Sequence, residues 1–230
     1  MQPHHSSATL QPARHTVPDD APPSLSRSDS LLDLTAIFAP QTRIAILERA
    51  PDSGISAYLD TLATRGELRL GLRCVIDAGT APELKHWPAE AGRRALEEDI
   101  AFISGAYGEL LGCARVGLRL EVLGSAMCPR FHVDHTGIRL LCTYRGDGTE
   151  WLDERYADRR WLGAAAQGQA DEDSGLICSA RGIHRIAPFA LALLKGDAWQ
   201  GNAGQGLIHR SPVVSAALAP RVVLALDAIW

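Results

Sequence analysis

Near residue 115 the apolar positions along the chain change their spacing from a helical period to a period of two, which predicts helices first and strands afterwards. SLLDLTAIF sets Leu31, Leu34, Ile37 and Phe38 at helical spacing, and Pro40 stops the run. RIAILER alternates like a short strand. Ser53 to Leu62 reads as a second helix with Ser53 as its cap. The longest helix is expected from Ala89 to Leu111, with Leu96, Ile100, Ile103, Tyr107 and Leu110 in one stripe and Arg93, Arg94, Glu97 and Glu98 facing away. VGLRLEVL then puts Val116, Leu118, Leu120 and Val122 on one face and Arg119 and Glu121 on the other, as a half-buried strand requires. Further short strands are expected at Ile138–Tyr144, Phe189–Leu194, Leu207–His209 and Val222–Ala228, separated by the turns RGDGTE, KGDAWQGNAGQG and HRSP. Asp153–Ser174 is polar and alanine-rich and reads as an irregular surface insertion.

Residues 1–30 hold five prolines, six serines and few large apolar groups. Such a segment buries too little surface to offset its ordering entropy, so a disordered tail is expected there, with His4, His5 and His15 solvated in it. Residues 31–230 are then a single domain, 31–112 mainly helical support and 116–230 a β-sandwich barrel. Composition narrows the partners. A net charge of −4 over 230 residues offers no concentrated basic surface for nucleic acid or an anionic membrane. No run reaches the ~18 apolar residues of a membrane span, and the N-terminus lacks an apolar leader. The five cysteines form no CxxC pair and are odd in number, which argues against a disulfide framework. A bacterial-type cytoplasmic protein acting on a small molecule or peptide is the expectation.

CPRFHVDHTGIRLLCTYRGDGTEWL carries the chemistry. In an extended segment residues i and i+2 share a face, so His132 and Asp134 can converge on one ion. By itself His-x-Asp is uninformative, because random placement yields roughly 0.6 occurrences in this composition. A third ligand must come from elsewhere, and His209, at the end of the later apolar segment GLIHRSP, is the best candidate. Two histidines and one carboxylate on one side of a metal leave positions open for co-substrate and oxygen. Arg221 opens the last strand and is suited to grip a carboxylate with its two-pronged guanidinium; Arg139 is a rival for that role. Cys128 and His135 offer additional ligands that zinc would accept. Arg210, beside His209, is expected on the opposite face. GDGTEW lacks the lysine and helix of a phosphate loop, and no nucleophile-elbow sequence surrounds Ser211. Trp151 and Trp199 are expected in the core or at the barrel mouth, and Asn202 near the site.

The order His-x-Asp, strand, long insertion, strand, His, then Arg on the final strand resembles the Fe(II)- and 2-oxoglutarate-dependent oxygenases. That resemblance covers roughly residues 116–230. It implies an α+β fold, a double-stranded β-helix (jelly-roll or cupin-like) sandwich with N-terminal supporting helices. It further implies iron held by His132, Asp134 and His209, and 2-oxoglutarate held by Arg221 with help from Tyr144 or Thr143. CPRFHVD, RLLCTYRGDGTEWL, LLKGDAWQGN and GLIHRSP are more closely similar to the bacterial domain-of-unknown-function family 1826, a likeness that spans most of the chain. It brings no established activity, but an association with zinc-limitation genes implies metal handling. A non-catalytic zinc-binding protein of metal homeostasis is therefore the alternative, and a cupin-like binder using its metal as a Lewis acid a weaker third.

Overall fold

The computed structural model describes residues 24–230. The histidines of the N-terminal segment, and most of the tail expected to be disordered, lie outside the described residues. In chain order the elements are β1 (Leu25–Ser28), β2 (Ile44–Leu47), α1 (Ser53–Thr64), β3 (Leu72–Asp77), α2 (Ala91–Leu111), β4 (Arg115–Leu123), β5 (Ile138–Arg145), β6 (Glu150–Leu152), β7 (Ile183–Arg185), β8 (Leu191–Lys195), β9 (His209–Arg210) and β10 (Arg221–Ile229). They make a mixed α+β fold with a seven-stranded sheet ordered β1-β2-β8-β5-β10-β4-β3 and a three-stranded sheet ordered β7-β6-β9. All pairings are antiparallel except β1 with β2.

The two faces of the large sheet do different work, and the period of two decides which residue serves which face. Leu118 and Leu120 of β4, Leu140 and Cys142 of β5, and Val222, Leu224 and Leu226 of β10 point to the helices and are buried. They meet the α2 stripe Leu96, Ile100, Ile103 and Tyr107, together with Ile55, Leu59 and Leu62 of α1. Each such side chain removed from water stabilises the fold by roughly 1.5–3 kcal/mol. A polar clip fixes α2 to the sheet: Arg49 pairs with Asp99 through both guanidinium ends at 2.8 and 3.1 Å, and Tyr144 donates to Asp99 at 2.7 Å. The opposite face turns Arg119 and Glu121, Arg139 and Leu141, and Arg221, Val223 and Ala225 toward the small sheet. A second core of Ile44, Ile46, Trp151, Ala192, Leu194 and Leu207 joins the two sheets.

Several expectations require correction. Order begins before residue 30, since Leu25–Ser28 pairs in register with Ile44–Leu47. The segment 31–112 carries α1 and α2 and the expected strand β2, but it also supplies the edge strand β3, and Leu31–Phe38 is a 3₁₀ rather than an α-helix. β3 alternates half-buried and exposed positions at a sheet edge, with Leu72, Cys74 and Ile76 packed against the core. Asp52, not Ser53, caps α1, accepting the Ile55 N–H at 2.8 Å. Glu150–Leu152 and Ile183–Arg185 are too short for their periodicity to be read. The Asp153–Ser174 insertion is irregular, as expected, and carries three short 3₁₀ turns.

Candidate metal centre

His132 and His209 form a two-residue antiparallel bridge beside the small sheet, the N–H of each donating to the carbonyl of the other at 3.0 and 2.9 Å. Directly opposed residues in such a bridge project to the same face, which brings the imidazoles together with ring centroids 4.5 Å apart. Asp134, two residues beyond His132, joins them. The segment that carries it is tied to the turn after β8, where Gly196 donates to the Gly137 carbonyl at 2.7 Å and Asp197 to that of Asp134 at 3.1 Å. Gly196 is required there, since a Cβ would lie 2.2 Å from the Thr136 carbonyl oxygen. Asn202 was expected near the site; its amide instead holds the Gly196 carbonyl at 2.7 Å.

The ligand atoms of His132, Asp134 and His209 all lie within 4.8 Å of one another. His132 Nε2 is 3.4 Å from one Asp134 oxygen, and His209 Nε2 is 3.4 Å from the other. On the far side of each ring, Nδ1 faces a carbonyl, that of Arg130 at 3.0 Å and that of Leu207 at 3.1 Å. A carbonyl only accepts, so it holds the proton on Nδ1 and turns the Nε2 lone pair toward the carboxylate. Two lone pairs and a carboxylate converging on one point are a donor set for a cation. The spacing fits an ion about 2.0–2.2 Å from each donor.

The surroundings set the charge of this point. Burial pushes the Asp134 carboxyl up, but His132, His209 and Arg139 more than offset it and hold the carboxyl well below the ordinary range. Asp134 in turn raises the His132 imidazole, against burial. Arg139 donates to Asp134 through one guanidinium nitrogen, and through two others to Asp227 at 2.8 and 3.0 Å. Arg119 donates to the same Asp227 at 3.0 Å. A row of alternating charges thus runs from the candidate ligand across the floor of the large sheet.

A cleft of about 180 Å³ opens over this floor, lined by the three ligands and by Arg221, Thr149, Glu121 and Cys128 among others. Arg221 is 3% exposed. Its Nε donates to the Asp147 carbonyl at 2.7 Å, and its Nη2 to Thr143 Oγ1 at 3.1 Å and Thr149 Oγ1 at 3.0 Å. No carboxylate stands within ion-pair distance of it among the described residues, and burial pushes its pKa down to about 10. Such a cation calls for an anionic partner that the described residues do not provide.

Other expected site residues are placed elsewhere. Tyr144 points to the helix face, buried against Phe189 and bonded to Asp99, because it alternates with Thr143 along β5; it cannot assist Arg221. Arg139 serves Asp134 and Asp227 and is no free anion grip. His135 projects into solvent and pairs with Asp197 at 2.8 Å, outside the ligand cluster. Cys128 lines the cleft but is not among the clustered ligands. Arg210 turns away, as expected, to Glu150, Asp171 and Glu172. Trp151 is buried between the sheets and stacks on His184. Thr149, Asp227, Arg119 and Glu121 were not foreseen. The alternation of β4 does put Arg119 and Glu121 on one face; nothing in it reveals that this face lines a cleft.

No curated protein matches the chain. Among solved structures, the rice dioxygenase for auxin oxidation is 14% identical, over 89% of this chain and 82% of that one, with a TM-score of 0.44. A Pseudomonas putida prolyl-4-hydroxylase is 14% identical over 86% and 93%, with a TM-score of 0.43. HygX from Streptomyces hygroscopicus, with nickel and 2-oxoglutarate bound, is 11% identical over 84% and 85%, with a TM-score of 0.41. Likenesses this distant decide neither the details of the fold nor an activity. Sequence decides the family: residues 28–227 match the family described as "Protein of unknown function (DUF1826)", and the chain belongs to it.

Proposed function

We propose that the chain is a single domain on the double-stranded β-helix plan and acts as an Fe(II)- and 2-oxoglutarate-dependent oxygenase on a small molecule. The observation that carries this reading is the buried guanidinium of Arg221, without a carboxylate partner among the described residues, in the same cleft as a two-histidine, one-carboxylate donor set. His132, Asp134 and His209 would hold the metal, and Arg221 with Thr143 and Thr149 would hold the far carboxylate of the co-substrate. When bound, iron and 2-oxoglutarate would supply the oxidising chemistry. The chain's own part is to bind, orient and exclude water. The carbonyls of Arg130 and Leu207 keep both imidazoles in the ligating tautomer. Arg139 steers Asp134 and neutralises part of its charge. The apolar side chains of Leu141, Val223 and Ala225 make a dry floor between Arg221 and the ligands.

A second reading, tight zinc held without catalysis, is favoured by one observation, that Cys128 lines the same cleft. Anaerobic titration with Fe(II) and then 2-oxoglutarate separates the two. The oxygenase reading expects a visible charge-transfer band that Asp134→Ala abolishes. Zinc bound tightly by four protein ligands including Cys128, with no band on adding iron and 2-oxoglutarate, would replace it.

A further inference from the structure

Glu121 sits on the cleft side of β4, one strand over from Val223 of β10, with only 15% of its side chain exposed. Its Oε1 is buried and accepts no hydrogen bond. Arg73, on the edge strand β3, brings Nη2 to 2.8 Å from that oxygen, close enough for an ion pair but at an angle that makes no hydrogen bond. The Arg73 side chain is itself 65% exposed. Ion pairs with so exposed a partner contribute little, whereas a buried carboxylate oxygen left without a donor costs more than such a pair returns. Glu121 therefore faces the cleft of the candidate metal centre as a carboxylate whose one ion-pair partner among the described residues is exposed and replaceable.

The neighbours define what would satisfy it. Leu123 and Met127 give an apolar wall beside it, and Arg119 is engaged by Asp227. Arg221 supplies the cleft's anion site, two positions along β10 from Val223, so the same cleft offers one place for a carboxylate and another for a cation. An N–H donor with positive charge is the group that completes Glu121.

We propose that Glu121 is a specificity-determining residue that receives a protonated amine of the substrate, in place of Arg73, and that the substrate class is a small aliphatic amine. The proposal rests on the oxygenase reading for what happens next, but the binding step is independent of it. An ammonium on a short apolar chain would donate to Glu121 Oε1, lie along Leu123 and Met127, and extend toward the three ligands.

The test is equilibrium binding of n-butylamine, n-butanol and butyrate to the full-length metal-loaded protein, read by calorimetry and by thermal shift. Nα-acetyl-lysine amide is included as a second amine. The expected result is binding of butylamine alone among the three butyl probes, weakened at least about tenfold by Glu121→Gln, the cost of a lost charged hydrogen bond. Arg73→Ala, which removes the competing guanidinium and leaves Glu121 in place, should tighten butylamine. Binding of the capped lysine as well would support the amine site and extend it to a lysyl side chain. No amine binding, or affinity within about twofold in Glu121→Gln, would overturn the proposal. Metal affinity measured on the same samples keeps the outcomes apart: if it is intact while amines fail, the substrate class is wrong; if the wild-type chain binds no metal, the metal reading fails instead.

Discussion

Replacing Arg221 by methionine tests the reading of the cleft most directly. The guanidinium is almost wholly buried and makes three hydrogen bonds, all to uncharged acceptors. Burial pushes its pKa from the ordinary arginine value down to about 10. At about 1.36 kcal/mol per pH unit, holding it charged costs the folded chain about 3 kcal/mol. The sign follows from linkage: the folded pKa lies below the unfolded one, so the cost is present at every pH below about 10 and vanishes as pH rises from there toward the unfolded value. A carboxylate seated against the guanidinium recovers that energy, and removing the guanidinium forfeits it. Arg221→Met is therefore expected to weaken 2-oxoglutarate by about 300-fold while leaving metal affinity unchanged. Without co-substrate the variant should match wild type in stability to within about 1 kcal/mol, because relief of desolvation opposes the lost hydrogen bonds. Calorimetric titration of 2-oxoglutarate into metal-loaded wild type and variant measures the first quantity, and urea unfolding the second. Co-substrate affinity in the variant within about threefold of wild type would refute the assignment of Arg221.

Arg139→Met removes the guanidinium that orients Asp134 and is expected to lower metal affinity about 10–100-fold, with a smaller loss in the same direction for Asp227→Asn; competition with a chelator measures both. Glu150 is raised by burial but lowered further by Arg185 and Arg210, so its carboxyl lies below the ordinary range. A depressed carboxyl contributes stability above its unfolded pKa, near 4.5, and loses it as pH falls through its folded value. Glu150→Gln should therefore flatten the acid side of the stability curve and leave its slope near neutrality unchanged, as followed by circular dichroism. Leu224 is fully buried on β10, an interior strand of the large sheet, against the helices. Leu224→Ala is expected to cost about 2–5 kcal/mol in urea unfolding, and a loss below about 1 kcal/mol would mean that the layer repacks around the cavity.

Much of this protein is legible in its sequence because periodicity is local. The α2 stripe and the alternations of β4, β5 and β10 follow from side chains that must leave water, and a period is set by residues a few positions apart. His132 and Asp134 were readable for the same reason, as i and i+2 of an extended segment. His209 and Arg221 were candidates from their places at the end of a later apolar segment and at the start of the last strand, and the structure brings both to the cleft. What local patterns could not supply was partnership. β3 takes its place through β4, and β6 through β7 and β9, all of which pair with them from separate parts of the chain. Tyr144 and Thr143 are neighbours in sequence, yet the pleat sends one to Asp99 and the other to Arg221. Arg119 and Glu121 read as an ordinary polar face, and only the small sheet standing over them makes that face the floor of a cleft. Alternation says that two faces exist, while the choice of which faces water and which faces a site is made by whatever element packs opposite, and that is a property of the tertiary structure.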